Sequence, residues 1–570
     1  MIGLSGFMIS AFQKIGGLRS GRLRRLAVVF LLGALEIACN ENYRQVALPI
    51  LPPPPSPAAN HYVISLTTNG YDVLNQVSGL CSPSGLLPPC VGDPGSASRI
   101  DVSGDTYSGI FNTGVAPVHA ALTANGGKLY VANSVEDTVS VNNVSFPTLV
   151  GTIGLPAGAQ PVFVQSAETG NMYVANYGNN TVSQINTTSD VVVGSASVGG
   201  QPVALAEMPN AQKLYVAQQG PGAVTSINVT GFSVATTIPL AGSLPVWAVA
   251  GSDNSKIYVL DNSGTIYEIA TLSDTATAIS TSMGAGANYM ALDPKLQRLY
   301  VTNPSNGRVG IFDTSGTLNQ LAVIDLSQGA GAPCPSGCSP VSVTGIGDGS
   351  RVYVASYELT SCNGSPCVST QVEVINTGNN AVSKVIPIST VAVDMTSATG
   401  CGPAAGPPAT TPWTPRMARF RAFAASSGGG STTNFKVYVS QCDAGSVAVI
   451  DASASSGSSP HPADVYTVTL RAPLSSFPPL QASISGATFS KPTLATTYNY
   501  TLPSGPGLQV GMKVFITGMS DSGNNGYFPI SSLGAGTFTV ANPSGVTVTG
   551  QGGSGTVMPP QNPVFVVAGP

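Results

Sequence analysis

Charge is what this chain has least of. Lys, Arg, Asp and Glu together make up 8% of its 570 residues, against roughly a quarter in an ordinary globular protein. The formal net charge is -4. A diffuse, mildly acidic surface argues against nucleic acid as a partner, because phosphate binding needs concentrated Lys and Arg. Histidine occurs only at His61, His119 and His461. No GxSxG, HExxH, P-loop or dinucleotide fingerprint is present. That scarcity removes most candidate acids, bases and metal ligands, and an enzyme here needs polar residues from distant segments to converge in one pocket. No cysteine pair has the CxxC spacing, which weakens any redox reading. What the chain does have is Gly, Pro, Ser and Thr between short alternating runs of Val, Ile, Leu, Phe and Tyr. Such runs pair as strands and bury apolar surface, so global disorder is excluded.

The N-terminus reads as an export segment. Lys14, Arg19, Arg22, Arg24 and Arg25 precede the apolar run LAVVFLLGAL from Leu26 to Leu35, a basic region followed by an apolar one. Ten apolar residues fall short of the roughly 20 that a spanning helix needs. The segment ends LEIAC at Cys39 and resembles a bacterial lipoprotein signal, in which the cysteine becomes the lipidated first residue. Glu36 departs from that pattern, and secretion with cleavage nearby is the rival reading. Residues 1–38 are therefore expected to be a signal peptide and 39–60, with LPPPPSPAAN, a Pro-rich tether. The expected location is the outer membrane or cell surface, on the periplasmic or extracellular side, with the lipid anchor making the membrane a partner.

Nine cysteines is an odd number. Setting Cys39 aside leaves Cys81, Cys90, Cys334, Cys338, Cys362, Cys367, Cys401 and Cys442, enough for four disulfides in an oxidising compartment. The preferred pairing is 81–90, 334–338, 362–367 and 401–442, one choice among many connectivities. CPSGC and CNGSPC have no histidine nearby, so disulfides are favoured over zinc.

The strongest pattern is a repeat. KLYV at Lys128, NMYV at Asn171, KLYV at Lys213, KIYV at Lys256, RLYV at Arg298, RVYV at Arg351 and KVYV at Lys436 share one form. The first five tyrosines, Tyr130, Tyr173, Tyr215, Tyr258 and Tyr300, lie 43, 42, 43 and 42 residues apart. A period of about 40 to 45 residues built from short strands is that of propeller blades. One unit runs from Pro161 to Gly200: PVFVQSAE, NMYVANY, TVSQINT and VVVGSASV as four strands, with Gly and Asn in the turns. The pattern P-x3-A, G-x-LYVAN, N-TVSVID resembles the YVTN, or YncE-like, β-propeller repeat family over about Pro117 to Leu470. The resemblance implies a ring of four-stranded blades, often seven, in the cell envelope. Related-looking propellers include lactone hydrolases.

The expected fold is thus all-β: a seven-bladed β-propeller over 61–470, followed by a linker at 471–482 and a small β-sandwich or barrel over 483–570. An eight-bladed ring is the alternative, because strands from His61 and Ser98 look like a degraded unit that either closes the last blade or forms another. The C-terminal module carries GLQVGMKVFITG and GTFTVANPSG and resembles small β modules of bacterial surface and phage-structural proteins. Its closing strand is expected to be PVFVVAG. The repeated tyrosines read as packing between blades. The long insertion from Ile386 to Ser431 places Trp413 in a Pro-rich loop, a preferred contact patch beside the rival of a self-packed stapled loop. His119 and Trp247, in the first strands of their units, are further binding candidates. Asp293 with Asp313, and Asp443 with Asp451, admit Ca²⁺ or acid/base roles, although acidic residues in turns more often cap the local backbone. No cofactor is called for. The functional expectation is a non-catalytic binding or scaffold protein working through rim loops on an envelope or extracellular protein or glycan, with a lactonase-like hydrolase or an envelope accessory protein as alternatives.

Overall fold

The computed structural model describes residues 62–68 and 94–568, except for single positions, short gaps and the stretches 393–421, 429–434, 453–463, 472–479, 502–512 and 559–561. Among the described residues there are 38 strands, β1 to β38 in chain order, and no α-helix. They form eight four-stranded antiparallel sheets and one closed barrel. The first uninterrupted sheet is β4 (Pro117–Leu122), β5 (Lys128–Asn133), β6 (Thr138–Asn143) and β7 (Thr148–Gly154). Six more follow in the same order, opened by β8 (Pro161–Ser166), β12 (Pro202–Glu207), β16 (Pro245–Ala250), β20 (Tyr289–Asp293), β24 (Ser339–Gly345) and β28 (Ala422–Gly428).

The eighth sheet joins the two ends of the chain. β38 (Asn562–Ala568) pairs with β1 (Tyr62–Thr68), which pairs with β2 (Pro94–Asp101) and then β3 (Thr106–Val115). Opening strands neighbour one another in the order β4, β8, β12, β16, β20, β24, β28, β38 and back to β4. This is a β-propeller, closed so that no blade edge faces an empty gap. The upstream strands, expected either to close the last unit or to form another, pair with β38 in a four-stranded sheet of their own. One expectation changes: PVFVVAG belongs to that sheet rather than to the C-terminal module. That module, running from β32 (Leu480–Ser490) to β37 (Val548–Met558), is a closed six-stranded barrel. It lies in the chain between the last repeat and its closing strand. Its core is built on Tyr498, Phe538, Val514 and Ile516, with the Tyr498 hydroxyl donating to the Asn524 carbonyl at 2.9 Å.

The repeated KLYV has a physical cause that alternation alone does not supply. Each tyrosine is fully buried, and most point their hydroxyl at a turn of the following sheet. The Tyr130 hydroxyl donates to Asp190, and Lys128 Nζ meets the same carboxylate at 2.7 Å. Tyr215 and Lys213 grip Asp274 at 2.5 and 2.6 Å. Tyr353 and Arg351 grip Asp464, and Tyr438 and Lys436 grip Asp105 at 2.9 and 2.6 Å. The last pair ties the final repeat to the sheet that joins both ends of the chain. Asp105, Asp190 and Asp274 have φ of 48°, 55° and 50°, the left-handed conformation that Asp and Asn tolerate best. Burial first, and then the neighbouring aspartate, push the Tyr130 and Tyr215 hydroxyls far above their ordinary range. They therefore remain donors at any physiological pH.

Candidate functional site

Six of the eight opening strands begin with the same irregularity. In β4 the register slips between Pro117 and His119, so Val118 is the extra residue of a β-bulge. The slip recurs at Pro161/Phe163, Pro202/Ala204, Pro245/Trp247 and Pro340/Ser342. In β38 it falls between Pro563 and Phe565. Pro suits the first residue of a strand, where no ladder donor is needed. A bulge bends the strand and re-aims the next side chain. The residue after each bulge varies, as the framework tyrosines do not: His119, Phe163, Ala204, Trp247, Ser342 and Phe565.

Four of these re-aimed residues, His119, Phe163, Trp247 and Phe565, together with Tyr289 of β20, form one aromatic chain across the ring. His119 stacks on Phe163 at 4.2 Å and meets Phe565 at 4.4 Å. Phe163 packs edge-on to Trp247 at 5.5 Å, and Trp247 lies 4.6 Å from Tyr289. His119 Nδ1 accepts a hydrogen bond from the Val164 backbone N–H at 3.3 Å, so in the neutral imidazole the proton sits on Nε2. Burial raises the Tyr289 hydroxyl to about 12.

Beside these rings lies a cavity of about 660 Å³, within the size range of small-molecule sites. Thr123 and Ala124 line it, placing it at the end of the ring where first strands turn into second strands. Ala120, Ala206, Ala248 and Ala250 contribute small apolar walls, and Thr123, Gln165 and Ser166 add polar groups. Among its described lining residues there is no carboxylate, ammonium or guanidinium. The shape is an alanine-walled funnel over an aromatic floor.

Of the residues singled out from sequence, His119 and Trp247 meet in this one site, joined through Phe163. Phe163, Tyr289 and Phe565 were missed. A signal for the last existed, since PVFV occurs twice, at Pro161 and at Pro563. Trp413, Cys39, Cys81, Cys90 and Cys401 lie outside the described residues. Cys334 bonds Cys338, and Cys362 bonds Cys367; Cys442 is also disulfide-bonded. Asp293 Oδ1 accepts from the Lys295 and Leu296 backbone N–H groups, and Asp313 Oδ1 from that of Ser315. Both cap their own turns, and across the strands they flank Arg298. Hydrogen bonds from the Ser315 backbone and hydroxyl hold the Asp313 carboxyl below its usual range.

A second cluster sits under the Cys334–Cys338 staple. Glu373 is fully buried, and both cysteine sulfurs lie within 4.8 Å of one of its carboxylate oxygens. Ser356 Oγ and Gln371 Nε2 donate to its Oε1 at 2.6 and 2.7 Å, while Oε2 has no hydrogen-bond partner. Burial drives its pKa up to about 7. With both sulfurs held in a disulfide, neither is a thiolate available to a metal.

No protein-family description matches the chain, and no curated protein matches it. Solved structures similar to it include hydrazine synthase of Kuenenia stuttgartiensis, 20% identical, covering 53% of this chain and 94% of that one with a TM-score of 0.39. Virginiamycin B lyase from Staphylococcus aureus is 16% identical over 48% and 84% of the two chains, with a TM-score of 0.37. The Cps50 (Swd1) β-propeller domain of Myceliophteria thermophila is 10% identical over 50% and 89%, with a TM-score of 0.39. The propeller assignment rests on the cyclic order of the sheets described above.

Proposed function

We propose that this chain is an exported, eight-bladed β-propeller of the YVTN-like kind that works by binding, with the channel funnel as its ligand site. The observation that carries the reading is the contrast within the repeat. Seven tyrosines are held constant for packing, while the bulge-aimed position differs from sheet to sheet and gathers His119, Phe163, Trp247 and Phe565 around one cavity. A concave apolar site with a few polar groups is the usual form of a small-molecule pocket. The Pro-rich stretch around Trp413, outside the described residues, is a second contact surface in this reading, for an envelope or extracellular protein or glycan. Cys39 is the proposed lipid anchor, and Cys39→Ser should move the protein from the membrane fraction to the soluble one.

The test of the binding reading is saturation-transfer NMR of the full chain against a panel of ring compounds and lactones. Binding without turnover is the expected result. Turnover of a lactone that disappears in His119→Ala would instead make the protein a hydrolase, with His119 at its centre.

A further inference from the structure

We propose that the Cys334–Cys338 staple, once reduced, is a zinc site in the folded ring with Glu373 as its third ligand. The oxidised staple offers no thiolate, so the site exists in one redox state only.

Three observations converge. The first is distance. Glu373 Oε1 lies 3.7 Å from Cys334 Sγ, and a ligand atom from each of Cys334, Cys338 and Glu373 falls within 4.8 Å of the other two. A tetrahedral ion with bonds of about 2.3 Å to sulfur and about 2.0 Å to oxygen sets such atoms about 3.5 Å apart. The second is support. Glu373 lies on β26 (Ser365–Asn376), where Gln371 is paired with Ser356 of the preceding strand, and both donate to its Oε1. Gln371 Nε2 also donates to Cys334 Sγ at 2.7 Å, a contact that strengthens when the sulfur carries charge. Outer donors of this kind fix metal ligands in place. The turn has its own backbone closure: the Gly337 N–H donates to the Cys334 carbonyl at 2.9 Å, and the Cys334 N–H to that of Leu326 at 3.0 Å. Opening the S–S bond therefore leaves both sulfurs over Glu373. The third observation is a missing partner. Glu373 is fully buried, its Oε2 has no hydrogen bond, and none of the ion pairs among the described residues includes it. Buried carboxylates are ordinarily paired or bound to a metal, and a cation at this site supplies what the protein does not.

The chemistry balances with a dithiol as reductant. It passes two electrons and two protons to the S–S bond and closes to its own disulfide. Zinc then displaces both thiol protons to solvent and forms two bonds to sulfur and one to oxygen. Two thiolates select zinc over calcium or magnesium, and three protein ligands leave the ion's fourth position open.

The test is equilibrium dialysis of the full chain against Zn²⁺, oxidised and after reduction with dithiothreitol and desalting under argon, with Co²⁺ as the coloured stand-in. The reduced, folded protein is expected to take up a zinc ion that the oxidised protein does not, to melt higher with it, and to show thiolate–Co²⁺ absorption. Cys334→Ser with Cys338→Ser should lose that ion, whereas Cys362→Ser with Cys367→Ser should keep it. Glu373→Gln should bind zinc more than about tenfold weaker and shift the Co²⁺ bands. A reduced chain that unfolds by circular dichroism, or that stays folded without taking up zinc, overturns the proposal. Uptake that survives the loss of Cys334 and Cys338 does the same, as does a Glu373→Gln protein with unchanged affinity and spectrum.

Discussion

The seams between sheets and the channel they enclose are made from the same repeat, yet they use it in opposite ways. At the seam, a basic residue and a tyrosine on one sheet close on one turn position of the next. That position is Asp105, Asp190, Asp274 or Asp464 in four sheets; in another it is Asn380, which accepts from Arg298 at 3.2 Å without the tyrosine hydroxyl. The chemistry hardly changes because the geometry it serves hardly changes. In the channel, the position after the bulge is histidine, phenylalanine, alanine, tryptophan or serine. A scaffold that repeats its packing and varies its lining separates stability from recognition, so the two can be attacked separately.

The largest effect should come from the most buried latch. Arg351 is 2% exposed and Asp464 5%, and the same aspartate also receives the Tyr353 hydroxyl at 2.5 Å. Asp464→Ala leaves a guanidinium buried without its carboxylate, which costs about 3–5 kcal/mol. The equivalent change at the partly exposed latch, Asp190→Ala, should cost only about 1 kcal/mol, because solvent already screens Lys128. Calorimetric melting of both variants measures the difference. Equal losses would show that the latches act through turn geometry alone.

Glu373 tests the same seam logic by pH. Burial raises its carboxyl from 4.5 to about 7, so the folded protein holds that proton to higher pH than the unfolded chain does. Its contribution to stability is therefore complete below pH 4.5 and is lost as pH rises to about 7. The total is about 3 kcal/mol. Glu373→Gln should flatten this part of the stability profile, measured by urea unfolding across pH 4 to 8. A slope that persists in the variant would assign the titration to another group.

Much of the ring was legible because its signals are local. KLYV predicts β5 and its counterparts, since alternation and β-branched content act within six residues. The Asn and Asp turns follow from the left-handed conformations they tolerate. What escaped was long-range. Tyr130 and Asp190 are sixty residues apart, so the sequence shows two motifs without showing that they touch. β38 pairs with β1 across nearly the whole chain, Val63 opposite Ala568, and the barrel between repeat and closing strand hid the connection. The aromatic floor was half visible. His119 and Trp247 stood out as rare residue types, whereas Phe163 and Phe565 are ordinary strand residues until the bulge aims them, and Tyr289 joins them from a strand without a bulge.

The smallest effect is the sharpest test of the seam rule, which two sheets break: Lys256 turns to Glu268 of its own sheet at 3.0 Å, and the sheet of Tyr173 departs further. NMYV carries Asn171 where other repeats carry Lys or Arg, and the matching turn position holds Phe232 with φ of 43°. Phe232 stacks on Tyr173 at 5.8 Å and 5°, and the Tyr173 hydroxyl turns instead to Glu207 at 3.0 Å. Both members of the latch are thus replaced together, a polar pair exchanged for an aromatic one. Asn171→Lys alone places a cation against a ring with no carboxylate. Phe232→Asp alone loses the stack and sets a second carboxylate near Glu207. Together they rebuild the Lys–Tyr–Asp latch of the neighbouring sheets, so the double variant should recover about 1 kcal/mol relative to the sum of the singles. Strict additivity in that double-mutant cycle would mean that the resemblance between these turns is one of backbone only, and that the latch is not a unit the repeat can exchange.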